Sequence, residues 1–314
     1  MTRSGAAANR APMARISPRT GRHLWPRRIF RWIAYSLLIF FLGSILWVLA
    51  YRFVNPPITF TQLGDILAGN GARGSWMSIE RIDRDMVRAV IAGEDSKFCT
   101  HSGFDRQAIE QAMRRNARGG SVIRGGSTIS QQTAKNAFLW QGGGYVRKGL
   151  EAWFTLLIEN LWTKRRIMEV YLNVAETGIG TYGVNAGAQR YFRHDASSLS
   201  RTEAARIAAI FPLPKRREAT APTGFTRRYG NMIAARANVV ARDRLDSCVY
   251  QGATVPRESP EPAVRRPAPR PRTIPQRQPA PPPPLLPGEE FEKEAPAQVP
   301  APRPEPPKPD SNAQ

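Results

Sequence analysis

An uninterrupted apolar run near the N-terminus constrains the fold of this 314-residue chain more than any other feature. The run extends from Trp32 to Tyr51 and contains no charged residue. An α-helix needs roughly 20 apolar residues to cross the hydrocarbon core of a bilayer, so a transmembrane helix is predicted over residues 32–52. A secretory signal peptide has the same plan, but its apolar region is shorter and ends at small residues, unlike Arg52 and Phe53 here.

The charges around the run predict its orientation. Arginines but no acidic residues precede it, and the first carboxylate of the sequence is Asp65. Because positive flanks stay in the cytoplasm, residues 1–31 are predicted to be a basic cytoplasmic segment, with the chain beyond Arg52 outside. An exported region meets little nucleic acid, so the formal charge of +21 favours anionic phospholipid rather than nucleic acid as a partner.

Composition divides the remaining chain into a domain and a tail. Residues 256–314 are rich in proline and charge, which predicts a disordered tail. The tail is interpreted as a solvated spacer or as a docking segment for an aromatic-grooved partner or the anionic wall. Residues 56–250 follow helical periods, so this domain is predicted to be mostly α. Cys99 and Cys248 could pair or be unrelated thiols, and the sequence does not decide between these alternatives.

Four segments of the domain have clear helical patterns. The predicted helices cover residues 80–92, 105–115, 153–162 and 202–210. Asp105 is a plausible N-cap for the second helix. The third is apolar nearly all round, which predicts a buried central helix, and the fourth stops where Phe211 and Pro212 forbid its continuation.

Four polar clusters in the domain could carry chemistry. They are residues 94–98 with His101, residues 125–136, residues 147–151 and residues 164–173. In the first cluster, Glu94 and Asp95 follow an apolar helical stretch, where carboxylates are costly to bury unless they are paired or used. In the second, a helix that starts at the glycines would place Ser127, Gln131 and Lys135 on one face.

Each cluster also has an interpretation without catalysis. The first could be a solvated helix end and the second an exposed polar loop. Arg147 and Glu151 are spaced as an i,i+4 ion pair on a surface helix. In the fourth cluster, Glu169 and Asn173 share a face that could simply cover a core.

Taken in order, the clusters resemble the signature motifs of the family 51 glycosyltransferases, the peptidoglycan transglycosylases. The family pattern has ED with a following Phe and His, GGSTISQQ with KN, RKxxE and KxxIxExYLN, and each is intact here. The resemblance continues through residues 180–184 and 188–192 and ends at 211–214, where Phe211 replaces a usual Leu. It implies a mostly α, lysozyme-like glycosyltransferase domain. After Tyr250 there is no SxxK and no KTG, so a monofunctional member without a transpeptidase domain is expected.

The resemblance implies polymerisation of lipid II into glycan strands, with release of undecaprenyl pyrophosphate. It makes Glu94 the general base and Glu151 a second essential carboxylate, which could orient cations, coordinate a divalent cation or assist the leaving group. The predicted substrate-binding residues are Ser127, Thr128, Gln131, Gln132, Lys135, Asn136, Arg147 and Lys148. The predicted supporting residues are Asp95, Phe98, His101, Glu169, Tyr171 and Asn173. No cofactor is expected to be obligatory.

The resemblance also implies a location and partners. The protein is expected in the cell inner (cytoplasmic) membrane, with its catalytic domain in the periplasm. Its expected partners are lipid II, the growing glycan chain, the membrane, and proteins of cell-wall synthesis or division. The basic, glycine-rich residues 114–124 are predicted to be a mobile flap.

Two other functions are compatible with parts of the sequence. A membrane-tethered lysozyme-like glycosidase also uses two carboxylates, but it has no use for cations at Lys135, Arg147 and Lys148. A non-catalytic cationic wall-binding scaffold would bind by charge, and Glu94 and Glu151 would then be dispensable.

Overall fold

The structure is a computed structural model that describes residues 24–118 and 126–250. Its helices, in chain order, are α1 (Leu24–Phe53), α2 (Phe60–Leu67), α3 (Arg84–Glu94), α4 (Arg106–Ala117), α5 (Ile129–Phe138), α6 (Tyr145–Leu161), α7 (Lys164–Val174), α8 (Val184–Phe192), a 3-10 helix (Ala196–Ser198), α9 (Arg201–Ile210), α10 (Gly224–Arg242) and α11 (Ser247–Tyr250). The strands are β1 (Arg73–Gly74), β2 (Glu176–Gly178) and β3 (Thr181–Tyr182). The predicted mostly α fold is confirmed.

The chain divides into two compact units, one ending at Trp47 and the other beginning at Val48. In its described part the first unit consists of α1 up to Trp47, and the last turns of α1 belong to the second unit. Helix α1 starts earlier than the predicted residue 32. Within the described part of the chain, Arg27–Phe53 is the one helical stretch long and apolar enough to cross a membrane. That it does so remains a prediction. Most of the predicted cytoplasmic segment, and all of the predicted tail, lie outside the described residues.

Helices α3, α9 and α10 pack against one another and form one part of the core of the second unit. Helix α3 begins after Asp83, whose carboxylate accepts a hydrogen bond from the backbone N–H of Asp85. The prediction that this helix starts at residue 80 is therefore wrong. Residues 80 and 81 lie in a turn, and the helix begins only after the cap at Asp83. Every side chain from Met86 to Ala92 is buried, and the helix delivers Glu94 at its C-terminus.

Helix α5 packs against α6 and α7 and forms the other part of the core. The rings of Phe138 on α5 and Phe154 on α6 stack with their centroids 4.8 Å apart. Leu156 is nevertheless 51% exposed, so the helix predicted to be buried over residues 153–162 is buried on one face and exposed on the other. One face of α6 enters the core, and the polar starts of α5 and α6 come together at the site described below.

The starts and stops of α4 and α9 follow local side-chain chemistry. The carboxylate of Asp105 accepts a hydrogen bond from the backbone N–H of Ala108, as the predicted N-cap requires. Helix α9 starts at Arg201, after Ser200, whose hydroxyl accepts a hydrogen bond from the backbone N–H of Glu203, so the predicted start at Thr202 is one residue late. The helix ends before Phe211, as predicted.

The three strands form a small sheet in the order β1-β3-β2. Strands β2 and β3 connect the end of α7 to the start of α8. Gly183 lies between β3 and α8 with φ of 83°. A Cβ atom at this position would approach the carbonyl oxygen of Asn173 to 2.8 Å. Both the backbone conformation and the close approach therefore require glycine here.

A disulfide closes the C-terminal end of the described domain. Cys99, which follows α3 in the chain, pairs with Cys248 in α11, which settles the alternatives that the sequence left open. Nearby, the fully buried carboxylate of Asp246 accepts hydrogen bonds from Arg84 and Arg88 on α3. The C-terminal turn is thus tied to α3, the helix that carries Glu94, by paired charges, and to the segment that follows α3 by a covalent bond.

Candidate active site

Glu94 lies at the C-terminal end of α3. Only one of its two carboxylate oxygens has a hydrogen-bond partner among the described residues. Its Oε2 atom accepts a hydrogen bond of 2.8 Å from Nε2 of Gln132. Its Oε1 atom is buried and has no hydrogen-bond partner among the described residues. Burial raises the pKa of Glu94, against the opposing influence of Gln132 and the positive charges of Arg217 and Lys135. A carboxylate with a raised pKa and a free lone pair is suited to accept a proton.

Glu151 lies on α6 and has the opposite surroundings. Its carboxylate is buried and accepts a hydrogen bond of 2.9 Å from Nη1 of Arg147, one helical turn earlier. Its other oxygen accepts a hydrogen bond from Nζ of Lys148. The i,i+4 ion pair predicted from the spacing is therefore present, but it faces the site rather than lying on a solvated helix surface. Glu151 holds two cations on one side of the site.

Lys135 on α5 provides a third positive charge. Desolvation lowers the pKa of Lys135, as do the charges of Arg147 and Lys148, whereas Glu151 and Glu94 act to raise it. Lys135 therefore interacts electrostatically with both carboxylates. Its ammonium group makes no hydrogen bond to another described residue, so its donors remain available to an anionic ligand.

The N-terminus of α5 is capped by its own side chains. The hydroxyl of Thr128 accepts from the backbone N–H of Gln131, and the amide oxygen of Gln131 accepts from the backbone N–H of Thr128. The helix therefore starts at Ile129 rather than at the glycines, and Ser127 lies outside it. The predicted single face of Ser127, Gln131 and Lys135 is wrong, because Gln131 is buried in the cap. Ser127 nevertheless contacts one of the cations of the site, because its Oγ accepts a hydrogen bond of 3.4 Å from Nζ of Lys148.

Asp95 connects the end of α3 to the start of α5. Its Oδ2 atom accepts a hydrogen bond of 3.0 Å from the backbone N–H of Ile129 and lies 2.9 Å from Nε2 of His101. Since Nδ1 of His101 accepts from the backbone N–H of Gly103, the geometry assigns the ring proton to Nε2. The carbonyl of Gly103 in turn accepts from the hydroxyl of Thr128.

Phe98, Asn136 and Tyr171 are buried close to this network. Phe98 is fully buried under the ammonium group of Lys164, which lies 4.6 Å from its ring centroid. Asn136 is buried on α5. The hydroxyl of Tyr171 donates a hydrogen bond of 3.4 Å to Oε1 of Gln132. Gln132 therefore links Tyr171 to Glu94, and burial raises the pKa of Tyr171 well above its usual range.

Glu169 and Asn173 lie on α7 and form hydrogen bonds with the backbone of the segment that precedes α3. The amide of Asn173 accepts from the backbone N–H of Met77 and donates to its carbonyl, as in a strand pair. Oε1 of Glu169 accepts from the backbone N–H of Ile79. Neither side chain contacts Glu94 or Glu151 through a described hydrogen bond. Their contacts are those of residues that hold the backbone around the site.

Comparison with known proteins gives these residues a family. Residues 61–243 match the family model described as Transglycosylase. The chain belongs to the transglycosylase family. A biosynthetic peptidoglycan transglycosylase of Caulobacter vibrioides is 46% identical to it over 224 residues, which cover 71% of this chain and 97% of that protein. Proteins of the same name from Xanthomonas campestris pv. campestris and Pseudomonas aeruginosa are 49% and 48% identical, over 88% and 91% of their lengths.

Membership confirms the predicted family and the predicted enzyme class, a glycosyltransferase. The matched range contains all four polar clusters. The roles given to single side chains, from Glu94 and Glu151 to the supporting residues, remain predictions. The predicted flap over 114–124 lies partly outside the described residues.

Two further side chains reach the site of this transglycosylase without having been predicted. The guanidinium of Arg217 is buried, donates to the carbonyl of Ala209, and lowers the pKa of Glu94 by its charge. The hydroxyl of Tyr229 on α10 donates a hydrogen bond of 2.8 Å to the carbonyl of Gly93. Burial raises the pKa of Tyr229 to about 12, with Glu94 as the next cause. Neither residue belongs to a recognisable motif, and only the packing of α10 on α3 brings Tyr229 here.

Proposed function

We propose that this transglycosylase polymerises lipid II into peptidoglycan glycan strands and releases undecaprenyl pyrophosphate, without transpeptidase activity. The names of its relatives support the reaction. One structural observation carries the proposal: the partnerless Oε1 of Glu94 lies in a site whose charges include Lys135, Arg147 and Lys148. The reaction needs a base for a weakly nucleophilic sugar hydroxyl and fixed positive charge for a pyrophosphate leaving group.

In the proposed step, the 4-hydroxyl oxygen of the incoming disaccharide attacks C1 of the sugar at the reducing end of the growing chain. The new C1–O bond forms while the bond from C1 to the pyrophosphate oxygen breaks, and the hydroxyl proton moves to Glu94. The pyrophosphate leaves with both electrons of the broken bond. Lys135, Arg147 and Lys148 offset the negative charge that develops on it.

Glu151 is proposed to position cations rather than to transfer a proton. Its two oxygens already accept hydrogen bonds from Arg147 and Lys148. A divalent cation at this carboxylate would be repelled by the positive charges of Arg147 and Lys148, which already match the charge of Glu151. We therefore propose that the reaction needs no cofactor.

The reaction is proposed to take place in the periplasm, at the outer face of the cytoplasmic membrane. The apolar stretch of α1 and the arginines before it support this location. Both sugar substrates carry a polyprenyl tail, so a membrane anchor raises the effective concentration of enzyme at its substrate.

The test is polymerisation of labelled lipid II by the full chain in detergent micelles. Wild type is compared with Glu94→Gln, Glu151→Gln and a matched control, Glu110→Gln, whose carboxylate is exposed on α4. We expect long strands from wild type and from the control. General bases contribute about 10²–10⁴-fold, so a loss of that order is expected for Glu94→Gln.

Two results would overturn the proposal. If folded Glu94→Gln protein turned over lipid II as fast as wild type, Glu94 could not be the general base. Short soluble sugars released from finished glycan, without any polymer from lipid II, would instead identify a glycosidase.

A further inference from the structure

Helix α2 has its apolar side turned outward. The residues that it buries are polar, Thr61 and Asp65, one helical turn apart. Phe60, Leu63, Ile66 and Leu67 are all exposed, Leu67 to 80%. We call these four residues the α2 apolar face. A surface helix in water normally shows the reverse arrangement, with its apolar stripe against the core.

Strong polar contacts hold α2 in this orientation. The carboxylate of Asp65 accepts hydrogen bonds of 2.6 Å from Nζ of Lys215 and 2.6 Å from the hydroxyl of Tyr182. Burial acts to raise the pKa of Asp65, but the hydrogen bonds from Lys215, Tyr182 and Asn70 outweigh it and lower the pKa. The buried carboxylate is therefore held in its charged form, and rotation of α2 about its axis would break these bonds. The outward apolar face is a fixed feature of the fold.

The surroundings of α2 continue the same surface. Between Phe53 and Ala72 the only charged residue of the sequence is Asp65, which points inward. Phe53, Val54 and Ile58, which precede α2, are also exposed. This segment therefore presents large apolar side chains and no charge to its surroundings, which is unusual for a surface in water.

The chain reaches α2 directly from the end of the apolar helix α1. The guanidinium of Arg166 donates to the carbonyls of Tyr51 and Val54 and so fixes the point where the chain leaves α1. Six residue steps lead from Val54 to Phe60, and each spans at most about 3.6 Å. Wherever α1 enters a bilayer, the start of α2 is within about 22 Å of the end of α1.

We infer that α2 is a second membrane contact, a short interfacial helix that inserts the α2 apolar face into the boundary between lipid head groups and acyl chains. An interfacial helix lies in the plane of the membrane with its apolar side in the lipid, and this explains the reversed burial of α2. The inference rests on the proposed membrane anchoring by α1. Its consequence is that the domain is held by two contacts, which restrict its rotation about a single span.

The test measures the depth of α2 in the bilayer, using the full chain in nanodiscs of phosphatidylethanolamine and phosphatidylglycerol. The two native cysteines are paired, so Leu67→Cys provides a single reactive thiol for an environment-sensitive fluorophore. The matched control is Arg227→Cys on α10, which is also exposed. We expect blue-shifted emission at position 67 that shallow spin-labelled lipid quenches, and emission at position 227 that only aqueous iodide quenches.

A second substitution tests the apolar face itself. Leu63→Lys added to the labelled Leu67→Cys protein should abolish the blue shift, whereas Met232→Lys on α10, which also replaces an exposed apolar residue, should leave it. Equal emission and equal iodide quenching at positions 67 and 227 would overturn the inference. Because the measurement needs no turnover, a failure to polymerise lipid II would contradict the proposed function without affecting this result.

Discussion

At the scale of single residues, Glu94 and Glu151 show how one site gives two carboxylates different chemistry. Glu94 has one hydrogen bond and a buried oxygen without a partner, whereas both oxygens of Glu151 are occupied by cations. Desolvation raises the pKa of the first carboxylate, because the hydrogen bond from Gln132 and the nearby positive charges offset it only in part. The second is bound where its charge is matched, which suits it to hold Arg147 and Lys148 in place.

The raised pKa of Glu94 predicts the pH dependence of catalysis. Polymerisation requires the ionised form, so kcat/KM should increase with pH through the pKa of Glu94, above its ordinary value of 4.5. Replacing Gln132 by Leu removes the hydrogen bond that favours the ionised form. The acidic limb of the kcat/KM profile should therefore move to higher pH in Gln132→Leu. An unchanged limb would show that another group controls it.

The same pKa has a consequence for stability, and its sign is opposite to that of an ordinary paired carboxylate. The folded-state pKa of Glu94 lies above the unfolded value, so the protonated form stabilises the fold. This stabilisation is complete below the unfolded pKa and is lost as pH rises through the folded pKa. Glu94→Gln should therefore unfold at the same or a higher temperature than wild type at neutral pH, with a smaller difference near pH 4. A lower melting temperature for the variant at neutral pH would contradict this assignment.

At the scale of elements, the start of α5 depends on a carboxylate from another helix. Asp95 accepts a hydrogen bond from the backbone N–H of Ile129, near the positive end of the helix dipole. Asp95→Asn removes the charge from a buried network with His101, so we expect a loss of about 1–3 kcal/mol in the free energy of unfolding. The measurement is urea unfolding. The control Asp243→Asn alters an exposed carboxylate and should cost less than about 0.5 kcal/mol, and equal losses in the two variants would contradict a network role.

The elements also show what the sequence could predict. Caps that use neighbouring residues, such as Asp105 on α4, were visible in the sequence. The glycines before α5 favour an earlier start than the one observed, because the start is set by Thr128 and Gln131, which cap each other. Arg217 and Tyr229 could not be predicted, because their approach to Glu94 depends on how loops and α10 pack rather than on spacing along the chain.

At the scale of the whole molecule, the disulfide links positions 149 residues apart in the sequence. A cross-link between distant residues restricts the unfolded chain, and the loss of a native disulfide typically costs about 2–5 kcal/mol. Reduction should therefore lower the free energy of unfolding of wild type by about this amount, seen as a lower urea midpoint. The double variant Cys99→Ser, Cys248→Ser should resemble reduced wild type and should not respond to reductant. If reductant left the wild-type midpoint unchanged, the cross-link would not contribute to stability.

The same pair reports which side of the membrane the domain occupies. Disulfides persist outside the cytoplasm, whereas cytoplasmic thiols are kept reduced. Cys99 and Cys248 are the only cysteines of the chain. If the domain lies in the periplasm, protein taken from intact cells and denatured with a thiol-alkylating reagent should gain no alkyl groups, and should gain two after reduction. Two alkyl groups without reduction would place the domain in a reducing compartment, where it could not meet a lipid-linked sugar in the outer leaflet.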